Sequence, residues 1–225
     1  MTLSKACSPE PSAAQGSRAG QTKKRTRIQQ QNEERILDAA LDMFSAYGLR
    51  GTTIDQIAAG AGMTKPNLLY YFRRKDDIYL SVLTRTLETW LQPLEALGSS
   101  DDPRAEMRAY LKRKLEMARD HPKASRLYAM EMLQGAPMLG PALGTRLKTL
   151  VDQKAALMRR WTAEGRMTAI DPHHLIFMIW ASTQHYADFE AQVRAVLGSA
   201  ADQNRHFDTA GRVLEDIILI GLFGA

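Results

Sequence analysis

Two short apolar stripes separated by a pair of glycines constrain this chain more than any other feature in it. In the stretch from Thr53 to Asp77, TIDQIAAGAGMTKPNLLYYFRRKDD, residues Ile54, Ile57, Ala58 and Ala61 recur at i, i+3, i+4 and i+7, which gives a short helix one face to bury. Gly60 and Gly62 interrupt it. A glycine just past a helix can take the left-handed conformation that a side chain would penalise, so Gly62 suits a tight turn into a second helix. Thr64 is a fitting cap for that helix, and Pro66 is tolerated in its first turn because the amide hydrogen it lacks would have no intrahelical partner there. Leu68 and Phe72 lie four apart and can be pinned in a core, leaving Lys65, Asn67, Tyr70 and Tyr71 outward. The spacing predicts a helix-turn-helix. Lysine and the two phenols can hold phosphate oxygens, and Asn67 can pair with a base edge, as for a helix lying in the major groove. An ordinary helical hairpin with two interfacial tyrosines is the plainer reading of the same pattern.

The longer segment TTIDQIAAGAGMTKPNLLYYFRRKDDIY resembles the DNA-binding signature of the TetR family of one-component repressors. The resemblance implies that Thr53, opening the first helix, together with Tyr70, Tyr71 and Lys75, holds phosphates. It implies that Lys65, Pro66 and Asn67 lie nearest the bases, although Pro66 has no side-chain hydrogen bond to offer.

Charge agrees with a polyanionic partner for the N-terminal part. The formal net charge is +5, yet up to Lys75 there are 12 Lys and Arg against 6 Asp and Glu, so the cation is concentrated in the first third. Residues 1–28 are rich in Ser, Ala, Gly, Gln and Pro and carry Arg18, Lys23, Lys24, Arg25 and Arg27. They read as a flexible basic arm that follows phosphates or enters the minor groove. No apolar run approaches the roughly 20 residues of a membrane span, and no signal-peptide segment is apparent. Cys7 is the only cysteine, which excludes intramolecular disulfides, and the cytoplasm is the expected compartment.

Beyond the motif the text is helical throughout. Glu33 to Tyr47 carries one apolar face and ends at Gly48, closing a three-helix head; a long helix from about Asp76 bears Ile78, Val82, Leu83, Leu87, Trp90, Leu91 and Leu94. After Gly98–Pro103 come Met107, Tyr110, Leu111, Lys114, Leu115 and Ala118, and then, past Pro122, Leu127, Met130, Glu131 and Leu133. GAPMLGP breaks the regularity before an amphipathic stretch from Leu143 to Glu164. Two final helices, His173 to Leu197 and Asn204 to Phe223, are apolar around much of their circumference, which implies a partner surface. A second copy supplying the same two helices would form a four-helix seam about a two-fold axis. The expected fold is all-α, with an arm over 1–28, a DNA-binding head over 29–77 and a ligand-binding and dimerisation domain over 78–225.

Trp180 and Gln184, at i and i+4, put an aromatic surface and a primary amide on one face of an otherwise hydrocarbon helix. A buried amide is costly unless paired. A backbone carbonyl or the dimer seam could satisfy it; so could a planar ligand whose imide edge meets the amide while tryptophans cover its faces. The segments LLYYF, LETWLQPLEAL, HPKASRLYAMEMLQGAP and DPHHLIFMIWASTQHYADF are similar to TetR-family regulators of pyrimidine utilisation, from about Ile36 onward. That resemblance implies uracil or thymine as the effector that releases a palindromic double-stranded operator. It carries Trp90, Trp180 and Gln184 into the ligand site, with Leu87, Thr183 and Glu131 beside them. The runner-up is a repressor answering a drug or fatty acid; a nucleoid protein with little sequence preference and an enzyme of pyrimidine breakdown are further alternatives. Catalysis is not expected: His173 and His174 face apart, His185 is too distant to share a metal with them, and no phosphate-cradling glycine loop or nucleophile triad is present. No metal and no cofactor are expected.

Overall fold

The computed structural model describes residues 27–198 and 203–224, and among these there is no strand. The chain runs through α1 (Arg27–Gly51), α2 (Ile54–Gly60), α3 (Lys65–Tyr71), α4 (Lys75–Ala96), α5 (Pro103–Asp120) and α6 (Pro122–Leu133). A single short turn, α7 (Gly140–Ala142), and a π-helical turn (Leu143–Leu147) then lead into α8 (Lys148–Ala163), α9 (Pro172–Asp188), α10 (Glu190–Leu197) and α11 (Gln203–Phe223).

The head is α1 to α3. Ile36, Ala40 and Phe44 of α1 meet Ile57, Ala58, Ala61 and Leu68 in a sealed core. Gly48 breaks α1 with φ +67. α1 also begins six residues earlier than its apolar face suggested, at Arg27 rather than Glu33, so the boundary expected after residue 28 falls inside a helix. Of the basic arm, all but Arg27 and Ile28 lies outside the described residues. Thr53 caps α2 through a reciprocal pair in which its hydroxyl accepts from the Gln56 amide at 3.2 Å and the Gln56 side chain accepts from the Thr53 amide at 2.8 Å. Gly62 turns the chain at φ +65, and a Cβ there would lie 2.9 Å from the Arg35 guanidinium, which itself donates to the Ala61 carbonyl at 2.6 Å.

α4 joins head to body. Its buried row, Ile78, Tyr79, Val82, Leu83, Leu87, Trp90, Leu91 and Leu94, packs on α1, α5, α6 and α8. α5 is surrounded by α4, α6, α9 and α11, so the middle of the body lies along it. The expected single helix from His173 to Leu197 is two. The break after Asp188 follows from contacts across the fold: Ser125 Oγ donates to Asp188 at 2.5 Å, and Arg126 donates to the Ala187 carbonyl at 3.3 Å and pairs with Glu190 at 2.8 Å. Those partners hold the last turn of α9, and Phe189, at φ −112 and ψ 32, leaves helical geometry before α10 starts.

Candidate functional site

The outer face of the head assembles the first candidate set. Lys65, Pro66 and Asn67 form the exposed first turn of α3, whose cap is the Thr64 hydroxyl accepting from the Asn67 amide at 3.4 Å. The Lys65 ammonium rests on Asp55 at 2.9 Å, with both side chains largely in solvent, so the pair is weak and can yield to a phosphate. Tyr70, 71% exposed, and half-buried Tyr71 meet edge to face at 5.2 Å between centroids. Their hydroxyls are steered from α1: Asn32 donates to Tyr71 at 2.8 Å and Gln29 to Tyr70 at 3.4 Å. Lys75 donates to the Thr52 carbonyl at 2.6 Å, bringing the start of α4 beside Thr53. Sequence reasoning missed the tethers from Gln29 and Asn32, which lie in the head but ahead of the Glu33–Tyr47 helix that it read there. Thr53, Lys65, Pro66, Asn67, Tyr70, Tyr71 and Lys75 thus line the α2–α3 surface and its junction with α4.

The second set lies along α4, α5 and α9. Leu87 and Trp90 are buried on α4, and Trp90 lines a cleft of about 290 Å³ with Leu41 of the head, Thr86, Met117 and Ala124. Trp180 Nε1 donates to the Tyr110 hydroxyl at 2.7 Å, locking α9 to α5. One turn on, Gln184 is half-buried, and its amide has no hydrogen-bond partner among the described residues. Thr183 is sealed and donates back to the Ile179 carbonyl at 2.7 Å. A wider groove of about 670 Å³ runs over Pro93, Glu106 and Arg113; of this set's neighbours only Tyr110 reaches it.

Glu131 stands apart from that seam. It is 1% exposed; one oxygen accepts from the Met138 and Leu139 amides at 2.7 and 3.2 Å, and the other accepts from the Tyr79 hydroxyl at 3.2 Å. Burial and the Glu131 charge hold Tyr79 well above the usual phenol range, so it stays a donor. Tyr79 in turn meets Phe44 of the head edge to face at 5.0 Å.

Lys114 was noted only as a member of the apolar row of α5. It is 2% exposed, and its ammonium lies 4.3 Å from the centroid of the Trp90 ring. Burial pushes it down to about 7, with the Asp188 charge opposing. Asp188 is raised by its own burial, against the Ser125 hydrogen bond and the charges of Arg126 and Lys114. Among the described residues no group of three or more His, Cys, Asp or Glu could hold a metal ion, and no helix is long and apolar enough to cross a membrane.

Comparison with known proteins supplies the family. The profile of bacterial regulatory proteins of the tetR family matches residues 36–82, and that of the C-terminal region of YcdC-like proteins matches residues 83–224. The chain is 48% identical over 201 residues to the HTH-type transcriptional regulator RutR of Escherichia coli strain K12, covering 89% of this chain and 95% of that one. It is 27% identical to the HTH-type transcriptional repressor SCO4008 of Streptomyces coelicolor, over 75% of this chain and 84% of that one. Among solved structures, a TetR-like transcriptional regulator from Rhodococcus sp. RHA1 superposes with a TM-score of 0.62 at 26% identity, over 84% of this chain and 94% of that one. The ketosteroid regulator KstR2 of Mycobacterium tuberculosis shares the fold, with a TM-score of 0.64 at 20% identity over 85% and 94% of the two chains. With a capped helix-turn-helix at one end, a helical body at the other and both halves matched, this chain is a DNA-binding transcriptional regulator, not an enzyme, and belongs to the tetR family.

Proposed function

We propose that the protein is a homodimeric, cytoplasmic repressor of pyrimidine-utilisation genes, released from a palindromic operator by uracil or thymine. The observation that supports the reading is that α5 carries an indole on either flank, Trp90 of α4 against Lys114 and Trp180 of α9 bonded to Tyr110, with a half-buried glutamine amide one turn on from Trp180 that lacks a partner among the described residues. An imide edge carries a donor flanked by acceptors, and a glutamine amide can satisfy one of each together. Indole faces suit a flat ring. The resemblance of LETWLQPLEAL and DPHHLIFMIWASTQHYADF to pyrimidine-utilisation regulators names that ring. Trp90, Trp180 and Gln184 are its central contacts, with Leu87 and Thr183 behind them. Glu131 has its oxygens committed to protein donors.

A dimer is supported by uncovered apolar surface on the last helices. Phe177 and Met178 on α9 and Val213, Ile217 and Ile220 on α11 are each about half exposed or more. Exposed apolar rows on adjacent helices favour burial against a like surface, and a two-fold axis through them gives two heads. Two heads read half-sites about 34 to 36 Å apart per helical turn.

The switch runs through α4. Lys75, tied to the head at Thr52, and Trp90, at the cleft, are 15 residues apart, about 22 Å of helix. Tilting that lever by about 5° about its Trp90 end moves Lys75 by about 2 Å, enough to spoil the fit of paired heads to successive grooves. A coupling of about 1 to 3 kcal/mol weakens DNA binding 5- to 150-fold, and operator must weaken uracil binding by the same factor. Tryptophan fluorescence titrated with uracil, thymine and cytosine, with and without saturating operator, measures this. Uracil affinity indifferent to operator would sink the switch, and binding of fatty acids in place of pyrimidines would replace the effector.

A further inference from the structure

A lysine inside an apolar helix row normally snorkels its ammonium to water or finds a carboxylate. Lys114 does neither. It is 2% exposed, and among the described residues its Nζ has no hydrogen bond and no carboxylate within ion-pair reach; its close contact is the face of Trp90 at 4.3 Å. No side-chain nitrogen or oxygen among those residues is both wholly enclosed and without a hydrogen-bond partner, so Nζ keeps a trace of accessible surface. The ammonium therefore rests against an indole with its hydrogen-bond donors unused.

The neighbours explain what those donors suit. Tyr110 and Lys114 are one turn apart on α5, facing Trp180, Gln184 and Asp188, which are successive turns of one face of α9. The Tyr110 hydroxyl accepts from Trp180. Asp188 is spent on Ser125 but still offsets the lysine's charge through space. The polar side chains on the two facing rows that make no hydrogen bond among the described residues are one ammonium and one amide, Lys114 and Gln184. Since Asp188 already balances the cation, the missing partner is a neutral acceptor such as a carbonyl oxygen, and a second anion would leave the site with excess negative charge.

We infer that Lys114 is a specificity-determining residue of the effector site, its ammonium donating to a ring carbonyl oxygen of a flat, uncharged heterocycle while Gln184 meets the adjoining edge. The inference rests on the pyrimidine reading and adds to it a cationic contact. It also makes binding proton-linked. Burial holds the lysine near 7, and a carbonyl acceptor favours its charged form, so binding takes up protons above that range. Affinity is then full below pH 7 and falls as pH rises through neutrality. The other charged or titratable groups around this point are Asp188 and His185 on α9 and Arg126 on α6; α4 contributes only the neutral Trp90.

The test is calorimetric titration of the dimeric protein with uracil at pH 6.5 and 8.5, for the natural chain and for Lys114→Met, with circular dichroism and thermal melting to verify folding. We expect Lys114→Met to bind roughly 10- to 100-fold more weakly at pH 6.5, the loss of one hydrogen bond from a charged donor. The natural chain should weaken on going to pH 8.5, and the variant should show no such slope. Equal affinity of the two proteins overturns the inference and leaves the pyrimidine reading intact. A slope that survives in the variant belongs to another group and equally overturns it. If the natural chain binds neither uracil nor thymine, the pyrimidine reading itself falls. Should Lys114→Met not fold, proton uptake by the natural chain at pH 7.5, compared in phosphate and Tris, decides the matter, and zero uptake refutes it.

Discussion

Glu131 distinguishes a residue that binds effector from one that holds the body against the head. Its carboxylate accepts three protein hydrogen bonds, from Met138, Leu139 and Tyr79, with no solvent to replace any of them. In Glu131→Gln the amide oxygen can keep both backbone donors, and the amide NH₂ can donate to a Tyr79 hydroxyl that has rotated. The cost is the difference between charge-assisted and neutral bonds, about 1 to 2 kcal/mol. Glu131→Ala strands two amides and a phenol at about 1 to 3 kcal/mol each and opens space besides, so about 4 kcal/mol or more is expected. At roughly 2 to 4 °C per kcal/mol for a chain of this size, Gln lowers the melting temperature by about 2 to 8 °C and Ala by about 8 °C or more. Melting must be compared at one protein concentration, because a dimer's midpoint depends on it. Calorimetry with uracil on Glu131→Gln completes the assay. An affinity within about twofold of the natural chain is expected, since 1.4 kcal/mol would already be tenfold. Loss of uracil binding from a well-folded Glu131→Gln, or an Ala variant as stable as the Gln one, would refute the reasoning.

Gln184→Leu keeps the volume and removes the amide; its uracil-induced change in operator affinity should shrink at least about tenfold, read by fluorescence anisotropy on labelled operator. Tyr71→Phe removes one phosphate donor and should weaken binding modestly and alike for operator and unrelated DNA, so a sequence-dependent loss would reassign Tyr71 to base reading. Thr53→Ala removes the α2 cap as well as the proposed phosphate contact; it should cost about 1 kcal/mol of stability and also lower DNA affinity, two effects separable by melting and by anisotropy.

How far the sequence could be read depends on where each element gets its instructions. α2, α3 and the turn between them are specified by residues inside themselves: Thr53 with Gln56, Thr64, and Gly62 at φ +65. Local chemistry of that kind is visible in a bare chain. The opening of α1 is not, because RIQQQN carries neither cap nor apolar face, and it is held in part by Gln29 and Asn32 reaching tyrosines some 40 residues away. The break between α9 and α10 is likewise invisible. Apolar residues continue through Phe189, and the interruption is imposed from α6 by Ser125 and Arg126.

The effector site sits at the far end of that scale. A lysine in the row Tyr110, Leu111, Lys114, Leu115 and a glutamate in the row Leu127, Met130, Glu131 look alike along the chain, each a charge on an apolar stripe. Their surroundings separate them. Glu131 meets two amides of the following loop and a phenol from α4, which use up its acceptors and make it a strut. The Lys114 ammonium lies on an indole face and makes no hydrogen bond among the described residues, with the Asp188 charge acting through space, which leaves a donor for the proposed ligand. Periodicity says which residues face inward; the partners waiting there, set by helices distant in sequence, decide which of two buried charges is bonded into the fold and which keeps its donors for the ligand proposed above.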